Sequence, residues 1–307
     1  MKVLIIGLGS IARKHITALK AIDPDVKIDA LRSSKESRQE EGVRNIYNLL
    51  PDEKYDFIII SNPTSLHAET IAKVIKLKTS LFIEKPVFES IIYDSLIEEI
   101  NDNEIITYVA CNLRFLGCIS FLHYYIHSHP EIRINEVNVY CGSHLPDWRE
   151  GVDYRKVYSS IPEQGGGVHL DLIHELDYIC WLFGFPKESF GIFRNVSSLQ
   201  IRSYDYANYC LLYPEFSVSV VLNYYRTDYK RTLEIVFKDI TWTVDLKANK
   251  ITDSKGEVVY EGKDNFSDTY KKQLEYFIKL IRENRKAEND VNSAYHTLKI
   301  ALQNERS

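Results

Sequence analysis

The sequence predicts an α/β fold followed by an α+β one: an N-terminal doubly wound parallel sheet, then a C-terminal open and mainly antiparallel sheet. Three observations predict it. Gly7-Leu8-Gly9-Ser10-Ile11-Ala12 directly follows an apolar run and opens an amphipathic stretch. Up to about residue 110, short apolar runs alternate with helical periodicity, which implies right-handed βαβ units. After about residue 115, strand-like segments follow one another without helices between them, which implies antiparallel pairing. The boundaries expected are 1–115 for a nucleotide-binding domain and 116–307 for a substrate-binding and oligomerisation domain, with the C-terminal helices able to pack back on the first.

The elements follow in order. Lys2–Ile6 reads as a fully buried strand, and Ile11–Ala21 as a helix with apolar residues at 11, 12, 16, 18 and 19. Val26–Leu31 reads as a second strand. Tyr55–Ile60 reads as a third, ending in the loop signal Ser61-Asn62-Pro63. Leu66–Leu77 is helical by pattern, Leu81–Ile83 a short strand, Ser90–Ile100 a helix with Glu98 and Glu99 outward, and Ile105–Ala110 a strand. In the second half Ile119–His127 and Gly167–Phe183 each read as one helix. Phe190–Ser197, Tyr206–Tyr213, Phe216–Arg226, Arg231–Asp245 and Val258–Tyr260 read as strands, with turn signals such as Tyr213-Pro214 and Asp253-Ser254-Lys255-Gly256 between them. Thr269–Asn284 and Ser293–Gln303 read as closing helices.

Bulk composition excludes several classes. With 307 residues, 45% hydrophobic and 26% charged, the chain can bury two cores. A net charge of −5 leaves no basic footprint for nucleic acid. The apolar run Val3–Ile6 is too short for a signal segment, and no run approaches the roughly 18 residues that span a bilayer. A cytoplasmic protein with no membrane partner is expected. The five cysteines are widely spread and contain no CxxC, which argues for thiols in a reducing compartment and against a zinc site. No metal is expected; the lone His127-x-His129 lacks a third ligand. The 21 tyrosines suit β-rich packing.

Four motifs carry chemistry. In the first, Gly7 permits the tight turn, Gly9 lets backbone approach a pyrophosphate, and Ala12 allows close helix–strand packing. The amides at Ser10, Ile11 and Ala12 open a helix whose dipole favours phosphate. The second is the end of the next strand, Leu31-Arg32-Ser33-Ser34-Lys35, where an NAD site usually carries an acid for the ribose 2′-hydroxyl. Arg32 with Ser33 and Ser34 suits a 2′-phosphate instead, so NADP is expected ahead of NAD; a solvated loop is the alternative. The third is Glu84-Lys85-Pro86, at a carboxyl strand end where ligands of such sheets bind. Against function stands the base rate of lysine as a surface charge. The fourth is Gly165-Gly166-Gly167 followed by Asp171 and His174. At i and i+3 these two share a helical face, so the carboxylate can orient an imidazole for acid–base work. A helix-starting Asp beside a satisfied His is the alternative.

Together, in this order, GLGSIA (7–12), SNPTSLH (61–67), EKP (84–86), NLRF (112–115) and GGGVHLDLIHELDYICWLFG (165–184) resemble the glucose–fructose oxidoreductase / inositol dehydrogenase / rhizopine catabolism (Gfo/Idh/MocA) family over essentially the whole chain. The resemblance implies a Rossmann domain followed by a sheet domain carrying the substrate site and much of the oligomer contact, hence a homo-oligomer, dimer or tetramer. It implies oxidation or reduction of sugars, nucleotide-linked sugars or cyclitols. Lys85 matches the family's catalytic lysine, His174 its catalytic histidine and Asp171 the acidic partner. Asn62, Pro63 and His67 match a loop beside the cofactor riboses, with Glu84 next to Lys85. Asn112 and Arg114 match a segment near nicotinamide and substrate. Many members place the Asp four residues before the His; here the spacing is three, as in a subgroup often linked to surface-polysaccharide sugars.

The reaction expected is hydride transfer between nicotinamide and a carbinol or keto carbon, with His174 exchanging the hydroxyl proton, Lys85 bonding the same oxygen and Asp171 orienting His174. Trp148, Tyr154 and Arg155 join Lys85, Arg114, Asp171 and His174 as candidate substrate contacts. Two other readings keep the cofactor: a non-catalytic NAD(P)-binding sensor, and an NAD-using epimerase or lyase.

Overall fold

The computed structural model describes residues 1–34, 39–50 and 52–303. The chain divides into two compact units, Met1–Cys111 with Ser267–His296, and Asn112–Phe266 with Thr297 onward.

In the first unit the order is β1 (Lys2–Ile6), α1 (Ser10–Ile22), β2 (Lys27–Leu31), β3 (Val43–Ile46), β4 (Phe57–Ile60), α2 (His67–Val74), β5 (Leu81–Ile83), α3 (Asp94–Asp102) and β6 (Thr107–Val109). The six strands are all parallel, ordered β3-β2-β1-β4-β5-β6. The order reverses between β1 and β4, which opens a crevice beyond the carboxyl ends of those strands. Val3, Leu4 and Ile5, and all of β4 and β5, are buried, as strands covered on both faces require. β3 is absent from the sequence expectation: only Val43 and Ile46 are buried in its four residues, too few to show a period. The helix expected from Ser90 starts at Asp94, with Tyr93 at its cap position.

In the second unit come α4 (Gly117–Ser128), β7 (Ile134–His144), α5 (Val168–Asp171), α6 (His174–Phe183), β8 (Glu188–Arg194), β9 (Tyr206–Leu212), β10 (Ser217–Asn223), β11 (Tyr225–Phe237), β12 (Thr241–Asp245), β13 (Lys250–Asp253) and β14 (Val258–Glu261). They form an eight-stranded sheet, ordered β14-β13-β12-β11-β7-β10-β9-β8. Only β7 and β10 pair in parallel. Four expectations are corrected here. The sequence hid β7, the strand that joins both halves of the sheet, because the exposed pair Asn135-Glu136 breaks the phase between Ile134 and the alternating run Val137, Val139, Cys141. It hid β13 as well. Arg231–Asp245 is two strands, β11 and β12, rather than one. Gly167–Phe183 is two helices, because Leu172 leaves helical geometry at φ −101°, ψ 27°.

The chain then enters α7 (Asp268–Glu283) and α8 (Val291–Ala301). Phe277 of α7 is fully buried and meets Phe57, Phe82 and Tyr108 at 5.4–5.7 Å between ring centroids, an aromatic core for the first unit. Each such ring contributes about 1.5–3 kcal/mol by burial. Among the described residues, no helix is long and apolar enough to cross a membrane, and no cluster of three metal-ligating side chains exists.

Candidate active site

The β1–α1 turn is shaped by two glycines with opposite surroundings. Gly7 has φ +92°, and a Cβ there would stand 2.3 Å from the Asn62 amide nitrogen, so only glycine lets the turn lie on the 61–62 loop. Gly9 has nothing within 4 Å of the corresponding position, so its Cα faces open space that a ligand can occupy. Gly9 caps α1 with no side-chain bond, and the first turn holds no acid. The amides of Ser10, Ile11 and Ala12 are therefore the orphan donors of a helix start, and no carboxylate competes with an anion for them. Ala12 is fully buried against the sheet.

At the end of β2 the Arg32 amide bonds the Ile46 carbonyl at 2.8 Å, while its Nη1 is buried without a hydrogen-bond partner among the described residues. Ser33 and Ser34 are exposed, and Lys35 lies outside the described residues. The acid within β2, Asp29, is committed elsewhere. Arg44 donates to it from Nε and Nη2 at 2.8 and 2.6 Å, and the Tyr55 hydroxyl at 2.8 Å. Its carboxyl lies below the usual range: burial raises it, and the bonds from Arg44 and Tyr55 outweigh that.

Beyond β4, Ser61 Oγ donates to the Gly7 carbonyl at 2.8 Å and Asn62 Nδ2 donates to Thr70 Oγ1 at 2.8 Å. Asn62 Oδ1 is buried with no partner among the described residues, an acceptor left for a bound group. Pro63 leads into a short 3-10 turn. His67 is 1% exposed, with Nδ1 3.1 Å from the Val87 carbonyl and Nε2 3.0 Å from the Asn62 carbonyl. It ties two loops together and presents no atom to a ligand. Burial lowers its pKa. Lys85 follows β5 half-buried, between the buried residues Glu84 and Pro86, and the Lys85–Pro86 peptide is cis. Glu84 Oε1 lies 2.5 Å from Nε2 of the fully buried His15.

In the second unit, Asn112 and Arg114 lie on a 3-10 turn, each 8% exposed. Arg114 donates through Nε and Nη2 to both oxygens of Asp177, at 2.8 and 2.7 Å, and stacks over Trp181. Those two nitrogens anchor the turn to α6. Asp171 closes α5, and His174, partly exposed, opens α6. The expected shared helical face is thus interrupted. Both carboxylate oxygens of Asp171 accept phenols, Tyr158 at 2.9 Å and Tyr224 at 2.5 Å. The Asp171 charge and burial push the Tyr158 phenol up, and burial and the same charge raise Tyr224. Sequence reasoning assigned neither tyrosine to this role, since neither stands at a fixed helical or strand spacing from Asp171.

Beside Leu172 lies a cavity of about 400 Å³, lined by Ser143, His144, Trp148, Tyr229 and Arg231 among others. Trp148 donates from Nε1 to Ser143 Oγ at 3.1 Å and meets the Tyr224 ring edge-on. Tyr154 and Arg155 do not line this cavity. The Tyr154 hydroxyl donates to the Leu199 carbonyl at 3.2 Å, and Arg155 lies over the Tyr154 ring.

Comparison with known proteins agrees with this geometry. Residues 1–101 match the family described as oxidoreductase family, NAD-binding Rossmann fold (GFO_IDH_MocA). Over 92 residues the chain is 36% identical to the uncharacterized oxidoreductase YrbE of Bacillus subtilis (strain 168), covering 27% of each protein. The match therefore spans about a quarter of that relative's length. UDP-N-acetylglucosamine 3-dehydrogenase GnnA from Acidithiobacillus ferrooxidans shares the fold with TM-score 0.79 at 19% identity, covering 99% of this chain and 96% of that one. A levoglucosan dehydrogenase in complex with NADH and levoglucosan gives TM-score 0.83 at 14% identity, covering 98% and 95%. Residues 1–101 thus match the NAD-binding Rossmann domain of that oxidoreductase family, and the two-sheet fold of the chain is the one these solved structures share.

Proposed function

We propose that the protein is an NAD(P)-dependent dehydrogenase or reductase acting on a CH–OH group of a sugar, nucleotide-sugar or cyclitol. The observation that carries the reading is the position of Lys85: it stands two residues beyond the carboxyl end of β5, one strand from the β1/β4 switch point of the parallel sheet. The open space at Gly9, the uncapped start of α1 and the unpartnered Asn62 Oδ1 fit a dinucleotide. When bound, the nicotinamide supplies the hydride acceptor or donor. In this reading His174 of the second unit is the group that exchanges the proton of the substrate hydroxyl, and Lys85 of the first is the cation that stabilises negative charge as it develops in the reaction. Asp171, held by two phenols, fixes the chain direction from which His174 starts.

Arg32 and its two neighbouring serines support NADP over NAD, because the only acid of β2, Asp29, is bound by Arg44 and Tyr55. GnnA and levoglucosan dehydrogenase, by their names, act on sugars, which supports a sugar-like substrate here. The test is NADPH oxidation against a panel of keto-sugars, and NADP⁺ reduction by the matching polyols. Lys85→Ala is expected to lose turnover while holding NADPH within a few fold. A Lys85→Ala protein that keeps most of its kcat would sink the mechanism.

A further inference from the structure

Among the buried titratable groups that the proposed reaction leaves unused is His15, which meets the residue before Lys85. Its ring is 0% exposed, on the inner face of α1. Nε2 faces Glu84 Oε1 at 2.5 Å. Nδ1 is buried with no hydrogen-bond partner among the described residues. The rest of the ring is held by aromatic edges, Phe82 at 5.0 Å and Tyr270 at 5.9 Å. Among the described residues, Glu84 is thus the polar group that this imidazole serves. Phe82 and Glu84, two apart, both meet it, so this face of the β5 end is committed to α1.

Glu84 is also fixed along the backbone, where its amide donates to the Ile60 carbonyl at 2.8 Å. Three residues on, the Val87 carbonyl is held by His67. Lys85 therefore stands between two backbone positions, each secured by a buried histidine. A buried carboxylate without a partner is costly, and it moves or captures another cation when its partner is removed. The cation next to Glu84 in sequence is the Lys85 ammonium.

We propose that His15 is a positioning residue. By occupying the Glu84 carboxylate it fixes where Lys85 stands, without itself touching substrate or cofactor. This rests on the reading of Lys85 given above. His15→Leu removes the bond. His15→Asn also removes it while keeping a polar group, since an Asn amide reaches only to the Nδ1 position. His15→Gln places an amide nitrogen near the Nε2 position and restores it. Both Leu and Asn variants are expected to lose kcat by about ten- to a hundredfold, the cost of a misplacement near 1 Å, with the KM for NADPH little changed and His15→Gln recovering most of the rate.

A second readout needs no substrate. Acylation of lysines in the intact protein, followed by mass spectrometry, is expected to change at Lys85 in the Leu and Asn variants and to return in His15→Gln. Lys20, at the exposed far end of the same helix, keeps its labelling rate. If a folded Leu or Asn variant shows wild-type Lys85 labelling, the proposal is overturned. A wild-type kcat in either variant overturns it too, provided Lys85→Ala is inactive. If Lys85→Ala is itself fully active, the mechanism of the preceding subsection fails, while the labelling still decides whether His15 positions Lys85.

Discussion

At the scale of single residues, the site is a set of side chains whose neighbours decide what each can do. Arg32 follows β2 with a buried Nη1 that has no hydrogen-bond partner among the described residues, and the strand's acid is paired with Arg44. Arg32→Asp should therefore shift fluorescence-titrated preference from NADPH toward NADH; equal affinities for the two in wild type would remove the basis for this. His174 opens α6 partly exposed, which the proton carrier of the proposed reaction requires. His174→Ala should lower kcat by about 10²–10⁴-fold, the usual worth of general acid–base work, and flatten one limb of the pH–rate profile. Asp171→Asn should cost less, since the proton carrier stays. These candidate positions could be named from the sequence because they stand at fixed spacing within short motifs. The bonds of Tyr158 and Tyr224 to Asp171 could not, because these residues reach it from a short 3-10 turn and a strand junction, 13 and 53 residues away. The contact of His67 with two carbonyls, and of His15 with Glu84, was equally invisible: a sequence shows a histidine but not what buries it.

At the scale of elements, the first unit was legible almost strand by strand, because parallel strands buried on both faces are continuous apolar runs. The second was less so. β7 sits between β10 and β11, yet its alternation is short: Val137, Val139 and Cys141 are buried with Asn138 and Tyr140 between them, Asn135-Glu136 breaks the phase to Ile134, and residues 141–143 are buried in a row. The break between α5 and α6 was also missed, since Leu172 and Ile173 satisfy a helical period that the backbone does not follow. The first of these two helices, α5, starts from Gly167 at φ +137°, where a Cβ would lie 2.5 Å from the His169 ring. Gly167→Ala is therefore strained in backbone and crowded in side chain. It should destabilise the protein by about 1–3 kcal/mol, measured by urea unfolding. A loss no greater than that of an exposed control, Gly256→Ala at φ +86° with open space around it, would show that the His169 ring yields at no cost.

At the scale of the whole molecule, acid stability follows from buried imidazoles. His169 is 2% exposed, packed edge-on against Phe193 and Tyr204, and burial lowers its pKa from 6.5 to about 4. His67, in the other unit, is lowered in the same direction, also by burial. A histidine lowered in the folded state binds its proton more readily when the chain unfolds. Its contribution is thus fully present above pH 6.5 and is lost as pH falls toward 4. For His169 the loss amounts to about 3 kcal/mol across that window, at roughly 1.4 kcal/mol per pH unit. Paired carboxylates such as Asp29, lowered by Arg44 and Tyr55, add losses of the same sign at lower pH. Urea unfolding followed at pH 7 and near pH 4.5 should show the fall. His169→Leu should remove its own share, so that the difference between the two pH values shrinks by about 2–3 kcal/mol. If His169→Leu and wild type lose stability in parallel on acidification, the ring takes up its proton while still packed between Phe193 and Tyr204, and the burial argument fails for this unit.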